Sequence, residues 1–328
     1  MPIKLLDYEY KSALSPHIIG LVSEKRELGY IYNNEAKIFK HLDSYWSDNH
    51  YSDDFLSQDR LEGWCRKTNT EGNKSLLNRI VATRQLAVYM RSTGCPAFIP
   101  EHNVRVEKPF IHVLSAQEII ELFQQIDLYH PKVNNPVNVR LSNAYRVQFR
   151  LILCLGLRRT ESCEIKMSEY NPDEGILKIT EAKNDKYRLV YLTDDLVSML
   201  NRHIEETVNA IGYKPIWLFP GYDPSNPING GTLSSSFNTA WNKTSFAGKV
   251  DKKPTIHSLR HTFVMRRIKQ WEAEGKDVNR MLPYLSKHLG HISLDETYYY
   301  YQRIQESLEH IRKKDLIANA VIPEVLPR

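Results

Sequence analysis

An irregular stretch interrupted by prolines divides this chain, and it limits what the chain can fold into. Between Gly94 and Leu114 the apolar spacing typical of a helix disappears, and three prolines interrupt the backbone, at Pro96, Pro100 and Pro109. Proline inside a helix removes a backbone hydrogen bond and clashes with the preceding turn. We therefore predict two domains, residues 1–94 and 115–328, joined by a linker at 95–114, and the second domain is expected to end in a C-terminal tail.

The second domain is predicted to be mainly α-helical with one small antiparallel sheet, an α+β fold. Ser115 followed by Glu118 forms a capping box at the start of its first helix. Thr193 is a candidate N-cap for a later helix. The apolar periodicity and the β-branched segments predict the following elements: helices at 116–129, 140–156 and 194–211, and strands at Gly175–Thr180 and Tyr187–Leu192.

The first domain is predicted to be helical, and Ser75–Arg91 is its clearest helix. Leu76, Ile80, Ala87 and Met90 recur at helical spacing, and a glycine suited to a C-cap follows at position 94. Polar and basic side chains occupy the rest of its surface: Lys74, Asn78, Arg79, Arg84 and Gln85. By itself this surface is either an ordinary solvated face or one that contacts a ligand.

Composition excludes several classes of protein. The 328 residues are 41% hydrophobic and 25% charged, which is typical of globular chains and not of disordered or collagen-like ones. The chain contains no apolar run of membrane-spanning length, and no secretory signal pattern begins it. A net charge of +5 permits a polyanionic partner. The four widely spaced cysteines predict reduced thiols in a cytoplasm, with neither a disulfide framework nor a zinc cluster.

Two segments could supply cations to a reaction. An apolar helix stops at Gly156 and is followed by Arg158, and Glu161 could hold that arginine through a bidentate pair. The alternative is a helix break with surface charges. Lys183 is predicted at the tip of the hairpin between the two strands, where it is either a proton donor or an ordinary solvated turn residue.

Two later segments carry histidines and tyrosines. His257, Arg260 and His261 share one helical turn, and together they suit a phosphate group. A metal site is a poorer interpretation, because an adjacent arginine repels a cation. The fourth segment has His291 after a Leu-Gly pair, and it is followed by the tyrosine run Tyr298–Tyr301, which core packing could also explain.

The order and spacing of these segments resemble the tyrosine recombinase family, which includes phage-type integrases, Xer-type recombinases and transposon recombinases. The resemblance implies a helical core-binding (SAM-like) domain and a mixed α/β catalytic domain. It also implies these catalytic residues: Arg158, Lys183, His257, Arg260, His291 and Tyr300. Glu161 and His261 would support them. Thr297, three residues before Tyr300, favours that tyrosine as nucleophile over Tyr299 or Tyr301.

The resemblance further implies a site-specific DNA recombinase that cleaves and rejoins strands through a 3′-phosphotyrosyl intermediate, for integration, excision or resolution of a mobile element. No metal or other cofactor is expected. The expected partners are double-stranded DNA with paired recognition half-sites and further copies of the chain, assembled in a tetrameric synapse. The helix with the polar surface becomes the candidate DNA reader. A type IB topoisomerase-like enzyme and a non-catalytic DNA-binding protein on the same fold are the alternatives.

Overall fold

The computed structural model describes residues 5–106, 112–129, 131, 133, 135–180, 187–291, 293–294 and 296–302. The chain separates into two compact units, Met1–Pro109 and Phe110–Arg328. The division falls within the irregular, proline-containing stretch.

Helices make up the first unit as far as it is described. They are α1 (Ser15–Glu27), α2 (Asn33–Asp48), α3 (Gln58–Cys65) and α4 (Asn73–Ser92). Their apolar faces meet in one core that includes Phe39 and Trp46, both without exposed surface. The predicted apolar stripe of α4 is confirmed, because all four of its residues are buried. Gly94 follows this helix with φ +86°, a left-handed conformation that suits glycine.

The second unit is mostly helical with a three-stranded antiparallel sheet, as predicted. Its elements are α5 (Ala116–Asp127), α6 (Pro136–Leu155), α7 (Arg159–Cys163), β1 (Tyr170–Asn171), β2 (Ile176–Thr180), β3 (Tyr187–Tyr191), α8 (Asp194–Ile211), α9 (Gly230–Trp241), α10 (Ile256–Ala273) and α11 (Val278–Leu289). The strand order is β1-β2-β3, with Leu177 opposite Val190. Residues 296–302 are also helical.

Most predicted element boundaries lie within two residues of those in the structure, and larger differences concern the start of α6, the N-cap of α8 and an additional strand. The Ser115–Glu118 capping box is present, but α6 begins at Pro136 and not at 140. The reason is that proline is favourable in a first helical turn, and the Asn135 side chain accepts a hydrogen bond from the Asn138 N–H at 2.8 Å. Thr193 stands at the N-cap of α8, but its side chain makes no capping hydrogen bond. The two-residue strand β1 was not predicted.

Helix α6 is the centre of the second unit and lies against both α8 and α10. Phe149 and Ile152 on α6 are fully buried. Phe263, Val264 and Ile268 on α10 pack with apolar residues of α11 in an adjoining cluster. This packing brings the end of α6, the start of α10 and the end of α11 together. Among the helices of the described ranges, none combines the length and apolarity needed to cross a bilayer.

Candidate active site

The turn between α6 and α7 places Arg158. Helix α6 ends at Gly156 with φ +67°, and a Cβ atom there would lie 2.5 Å from Cδ1 of Phe263. Only glycine fits this combination of left-handed backbone and close packing. Leu157 is then fully buried, and Arg158 follows at the N-cap of α7. Its Nη2 donates to the Gly290 carbonyl at 2.5 Å, which links α7 to the end of α11.

Glu161 is a buried carboxylate surrounded by three arginines. Its oxygens accept hydrogen bonds at 2.7 Å from the backbone N–H and from Nη1 of Arg158. The bidentate guanidinium pair, predicted for Arg158, is made by Arg188 instead, at 3.1 and 2.8 Å. Arg260 lies 3.9 Å away. Burial favours the neutral acid, but the hydrogen bonds and charge of Arg188, the backbone hydrogen bond from Arg158 and the charge of Arg260 lower the pKa of Glu161 to about 2.

Arg260 is a buried arginine held by backbone carbonyls. Its side chain is 1% exposed, and it donates to the carbonyls of Gly156 at 2.6 Å and Leu289 at 2.9 Å. Burial, followed by the charge of Arg158, lowers its pKa to about 10. The guanidinium therefore remains charged at neutral pH, in a position fixed by two helix ends.

The geometry around His291 indicates which of its nitrogens carries the proton. Nη2 of Arg260 lies 3.0 Å from Nε2 of His291, and Nδ1 lies 2.7 Å from the Thr297 hydroxyl. Because a guanidinium can only donate, Nε2 is the acceptor and Nδ1 bears the proton. Burial and the charge of Arg260 lower the pKa of His291 to about 3, in agreement with a neutral ring.

Tyr300 lies between His257 of α10 and His291, which follows α11. Its hydroxyl is 3.3 Å from Nε2 of His257, and its ring stacks on His291 with centroids 5.6 Å apart. His261 packs edge-on against His257 and contacts the Tyr300 ring from α10. Burial raises the pKa of Tyr300, although the charges of Arg260 and Arg158 oppose this. Burial and the same two arginines lower the pKa of His257 to about 4.

These side chains line one cleft of about 410 Å³. The lining residues are Arg158, His257, Arg260, His291, Ser293, Glu296, Tyr299 and Tyr300. The structure thus brings together five of the six residues for which the resemblance implies catalysis. The sixth, Lys183, lies outside the described residues. A neutral imidazole beside a phenol, with two guanidiniums near it, can accept a proton while cations bind an anionic group.

The α4 residues chosen from the sequence fall into two groups. Lys74, Asn78 and Gln85 are exposed. Arg79 instead donates to the Glu71 carboxylate at 2.5 Å, and its guanidinium covers the Trp64 ring at 4.9 Å. Arg84 donates to the Pro100 carbonyl. Gln85, although exposed, accepts a hydrogen bond from the Tyr32 hydroxyl at 2.5 Å. These last three side chains therefore have partners within their own unit.

Sequence reasoning missed Arg188. The signal was present, because strand alternation puts position 188 on the same face as the apolar Val190, and an inward-facing arginine needs a buried anion. Within the described ranges, no three or more His, Cys, Asp or Glu side chains are grouped so that they could hold a metal ion.

Comparisons with known proteins agree with this fold. The sequence is 27% identical over 160 residues to a putative integrase/recombinase of Sinorhizobium fredii, covering 48% of this chain and 50% of that protein. It is 24% identical over 267 residues to a tyrosine recombinase of Pseudothermotoga lettingae, covering 79% and 82%. The chain spans about half the length of most of the curated relatives it matches.

Two solved structures show the same architecture. XerH site-specific recombinase, in a post-cleavage complex with palindromic difH substrate, superposes with a TM-score of 0.61 at 20% identity, covering 84% of this chain and 78% of XerH. A lambda integrase dimer bound to a COC′ core site gives a TM-score of 0.56 at 17% identity, covering 86% and 94%. At these identities the likeness establishes the fold.

The sequence pattern of one family covers most of the second unit, including the whole cleft. It matches residues 113–307, more than half of the chain. This chain therefore belongs to the phage integrase family.

Proposed function

We propose that this protein is a site-specific DNA recombinase that cleaves DNA by attack of Tyr300 on a phosphodiester. The observation that carries the proposal is the 3.3 Å approach of the Tyr300 hydroxyl to Nε2 of His257, in a cleft that Arg158 and Arg260 also line. Attack forms a 3′-phosphotyrosyl bond and releases a 5′-hydroxyl. One phosphoester replaces another of similar energy, so the reaction needs no nucleotide hydrolysis.

The protonation states support this direction of proton transfer. A phenol with a raised pKa is protonated at neutral pH and needs a base before it can attack. His257 is neutral there, so its Nε2 can take the phenolic proton. Arg158 and Arg260 then stabilise the negative charge that develops on the non-bridging phosphate oxygens. His291, which accepts from Arg260, orients that guanidinium.

We assign protonation of the departing 5′ oxygen to Lys183, on the strength of the family pattern. A general acid is needed because an alkoxide is a poor leaving group. After cleavage, a 5′-hydroxyl from another strand can attack the phosphotyrosyl bond by the reverse route, and that step exchanges strands.

The proposed partner is double-stranded DNA with paired half-sites. Two recombinases with this fold were solved bound to their sites, XerH on a palindromic difH substrate and a lambda integrase dimer on a COC′ core site. Strand exchange between two duplexes with two half-sites each requires four active sites, so we propose a tetramer of this chain on DNA. Four free thiols agree with a reducing cytoplasm as the place of action. Site preference is expected from side chains that reach base edges, including the exposed Lys74, Asn78 and Gln85.

The function is tested by covalent trapping. DNA retained by the protein from a fragmented genomic library is sequenced, and a duplex of that sequence with a nick beside the cleavage position is used as substrate. The parent protein should form a denaturation-resistant adduct, and Tyr300→Phe should form none while binding DNA within about two-fold, because only one oxygen is lost.

Tyr298→Phe is the matched control, since Tyr298 is an exposed member of the same tyrosine run. It should form adduct at the parent rate. An adduct with Tyr300→Phe would move the nucleophile to another tyrosine. If the parent protein forms no adduct, the result would indicate a DNA-binding protein without strand-transfer activity. Relaxation of plasmids that lack the selected site would indicate a topoisomerase.

The assembly is tested separately, on a duplex with two half-sites. Titration followed by native gels should show cooperative filling of both half-sites, and crosslinking of the mixture of two such duplexes should give a species with four protomers. Independent filling of the two half-sites, together with crosslinked species no larger than dimers, would contradict the tetramer.

A further inference from the structure

Arg188 is an unusual residue for its place in the fold. It lies in β3, where Tyr187, Leu189 and Tyr191 are exposed and Val190 is fully buried. The arginine shares the inward face with Val190, and its side chain is only 9% exposed. Burying a guanidinium is unfavourable unless an anion and hydrogen bonds compensate it. Its compensation is the bidentate pair with Glu161.

The pair uses half of the accepting capacity of Glu161. A carboxylate has about four lone-pair sites for hydrogen bonds. Arg158 occupies two of these sites through its backbone N–H and Nη1, and Arg188 occupies the other two. The two arginines approach from different elements, Arg158 from the start of α7 and Arg188 from the sheet. Glu161 therefore has no spare hydrogen-bonding site for Arg260, whose Nη1 lies 3.9 Å away.

Loss of Arg188 would leave a buried carboxylate half satisfied. Such a group either takes up a proton or moves toward the nearest remaining cations. In the first case it no longer attracts Arg158, and in the second it draws Arg158 or Arg260 away from the cleft. Both outcomes change guanidiniums that line the cleft, although Arg188 does not line it.

We propose that Arg188 is a positioning residue of the site, which acts through Glu161 to hold Arg158 toward the phosphate and to prevent Glu161 from drawing Arg260 away from it. The inference rests on the proposed strand-transfer function. It gives β3 a role in the reaction that is separate from the role proposed for Lys183. It also explains why an arginine occupies an inward position in a small sheet.

The test is a double-mutant cycle on the covalent-trapping assay. Arg188→Met should slow adduct formation on the order of 10²-fold, as displacement of a reacting group by about 1 Å commonly does, while DNA affinity changes little. Glu161→Gln should slow it similarly. If Arg188 acts through Glu161, the double variant should be no slower than the slower single variant. Additive losses would overturn the proposal.

A conservative variant and a control separate positioning from folding. Arg188→Lys keeps the charge but loses the planar fork, so it should cleave at a rate between the parent and Arg188→Met. Arg140 is a matched control, because it is also a buried arginine of the second unit, bonded to the carbonyls of Pro220 and Gly221. Arg140→Met should lower the melting temperature without slowing cleavage by the folded protein. Arg188→Lys at the parent rate would overturn the proposal even if Arg188→Met failed to fold.

The pH dependence of adduct formation is a measurement that a purely structural role of Arg188 would not change. Glu161 faces Arg158, Arg188, Arg260 and His291, and Arg188 makes the largest contribution to keeping it charged. In Arg188→Met, adduct formation should fall in mildly acidic buffer, above the pKa of His257, where the parent is unaffected. An unchanged profile would contradict the proposal. Absence of any adduct with the parent protein would instead count against the proposed function.

Discussion

Burial sets the protonation state of several histidines in the second unit. His257, His261 and His291 lie around Tyr300, and burial lowers their pKa values to about 4, 3 and 3. His203 lies outside the cleft, stacked on Phe219, and burial lowers its pKa to about 4. His257 also sits in the first turn of α10, where the helix dipole disfavours a cation. Neutral imidazoles at physiological pH follow from these surroundings, and among the described residues that line the cleft they leave Arg158 and Arg260 as cations.

These pKa values predict how stability depends on pH. In the unfolded chain these four imidazoles and that of His288, whose pKa burial also lowers, titrate near 6.5, so between about 6.5 and 4 the unfolded state binds more protons than the folded state. The free energy of unfolding should therefore fall as the pH is lowered through that range. The lowered pKa of Glu161 continues the loss below about 4.5.

Urea unfolding at pH 7, 6 and 5 measures this dependence. His203→Gln should show a shallower loss than the parent, since one of these groups is removed from outside the cleft. Equal stability at pH 7 and pH 5 would mean that the imidazoles are not buried as described. Adduct formation should persist to about pH 5, because His257 stays neutral until its pKa of about 4 is approached.

At the scale of elements, two glycines that end helices each supply a carbonyl that accepts a hydrogen bond from an arginine of another helix. Gly156 ends α6, and its carbonyl accepts from Arg260 of α10. Gly290 ends α11, and its carbonyl accepts from Arg158 at the start of α7. Both glycines have positive φ, which turns the chain so that the last carbonyls remain available to a side chain. The helix ends are therefore part of how the cations are placed.

Gly156→Ala tests this role, with Gly212→Ala as its control. Both glycines follow a helix with positive φ, but a Cβ at 212 would meet nothing within 4 Å, while one at 156 would meet Phe263 and Leu289. Gly212→Ala should cost about 1 kcal/mol from backbone strain and leave cleavage unchanged. Gly156→Ala should cost about 1–3 kcal/mol more from overpacking and should slow adduct formation. Equal losses of stability in chemical denaturation would show that the packing at 156 is not tight.

At the scale of the whole molecule, each unit carries a separate part of the proposed activity. The second unit holds the cleft, and the first presents exposed polar side chains on α4. The net charge of +5 is small for a DNA-binding chain, so the location of the charges matters more than their sum. Arg79 illustrates this, because its charge is already paired with Glu71 inside the first unit.

The salt dependence of DNA binding distinguishes the two kinds of α4 residue. If Lys74 contacts a phosphate, Lys74→Ala should weaken binding to all sequences and reduce the slope of log K against log salt by about one. Arg79→Ala should instead destabilise the first unit and leave the slope of the folded protein unchanged. Fluorescence anisotropy over a range of salt concentrations measures both. A slope unaffected by Lys74→Ala would remove this lysine from the proposed interface.

Local patterns in the sequence determined much of the fold. Helix α8 occupies 194–211 as predicted, and the Ser115–Glu118 capping box is present. Such elements are set by periodicity and caps, which involve neighbours within a few positions. The segments with candidate catalytic residues were also recognisable, because their order and spacing along the chain carry the resemblance.

The tertiary structure decided which partners each charged side chain found. Glu161 was expected to pair bidentately with Arg158, but Arg188, 27 positions away, makes that pair. Arg260 is held by the carbonyl of Gly156, 104 positions away, and Arg79 by a carboxylate of its own unit. A charged side chain takes the partner that folding brings within about 3 Å and shields from water. The sequence alone shows which charges exist, and only packing between distant segments determines which are paired and which remain available to the proposed DNA partner.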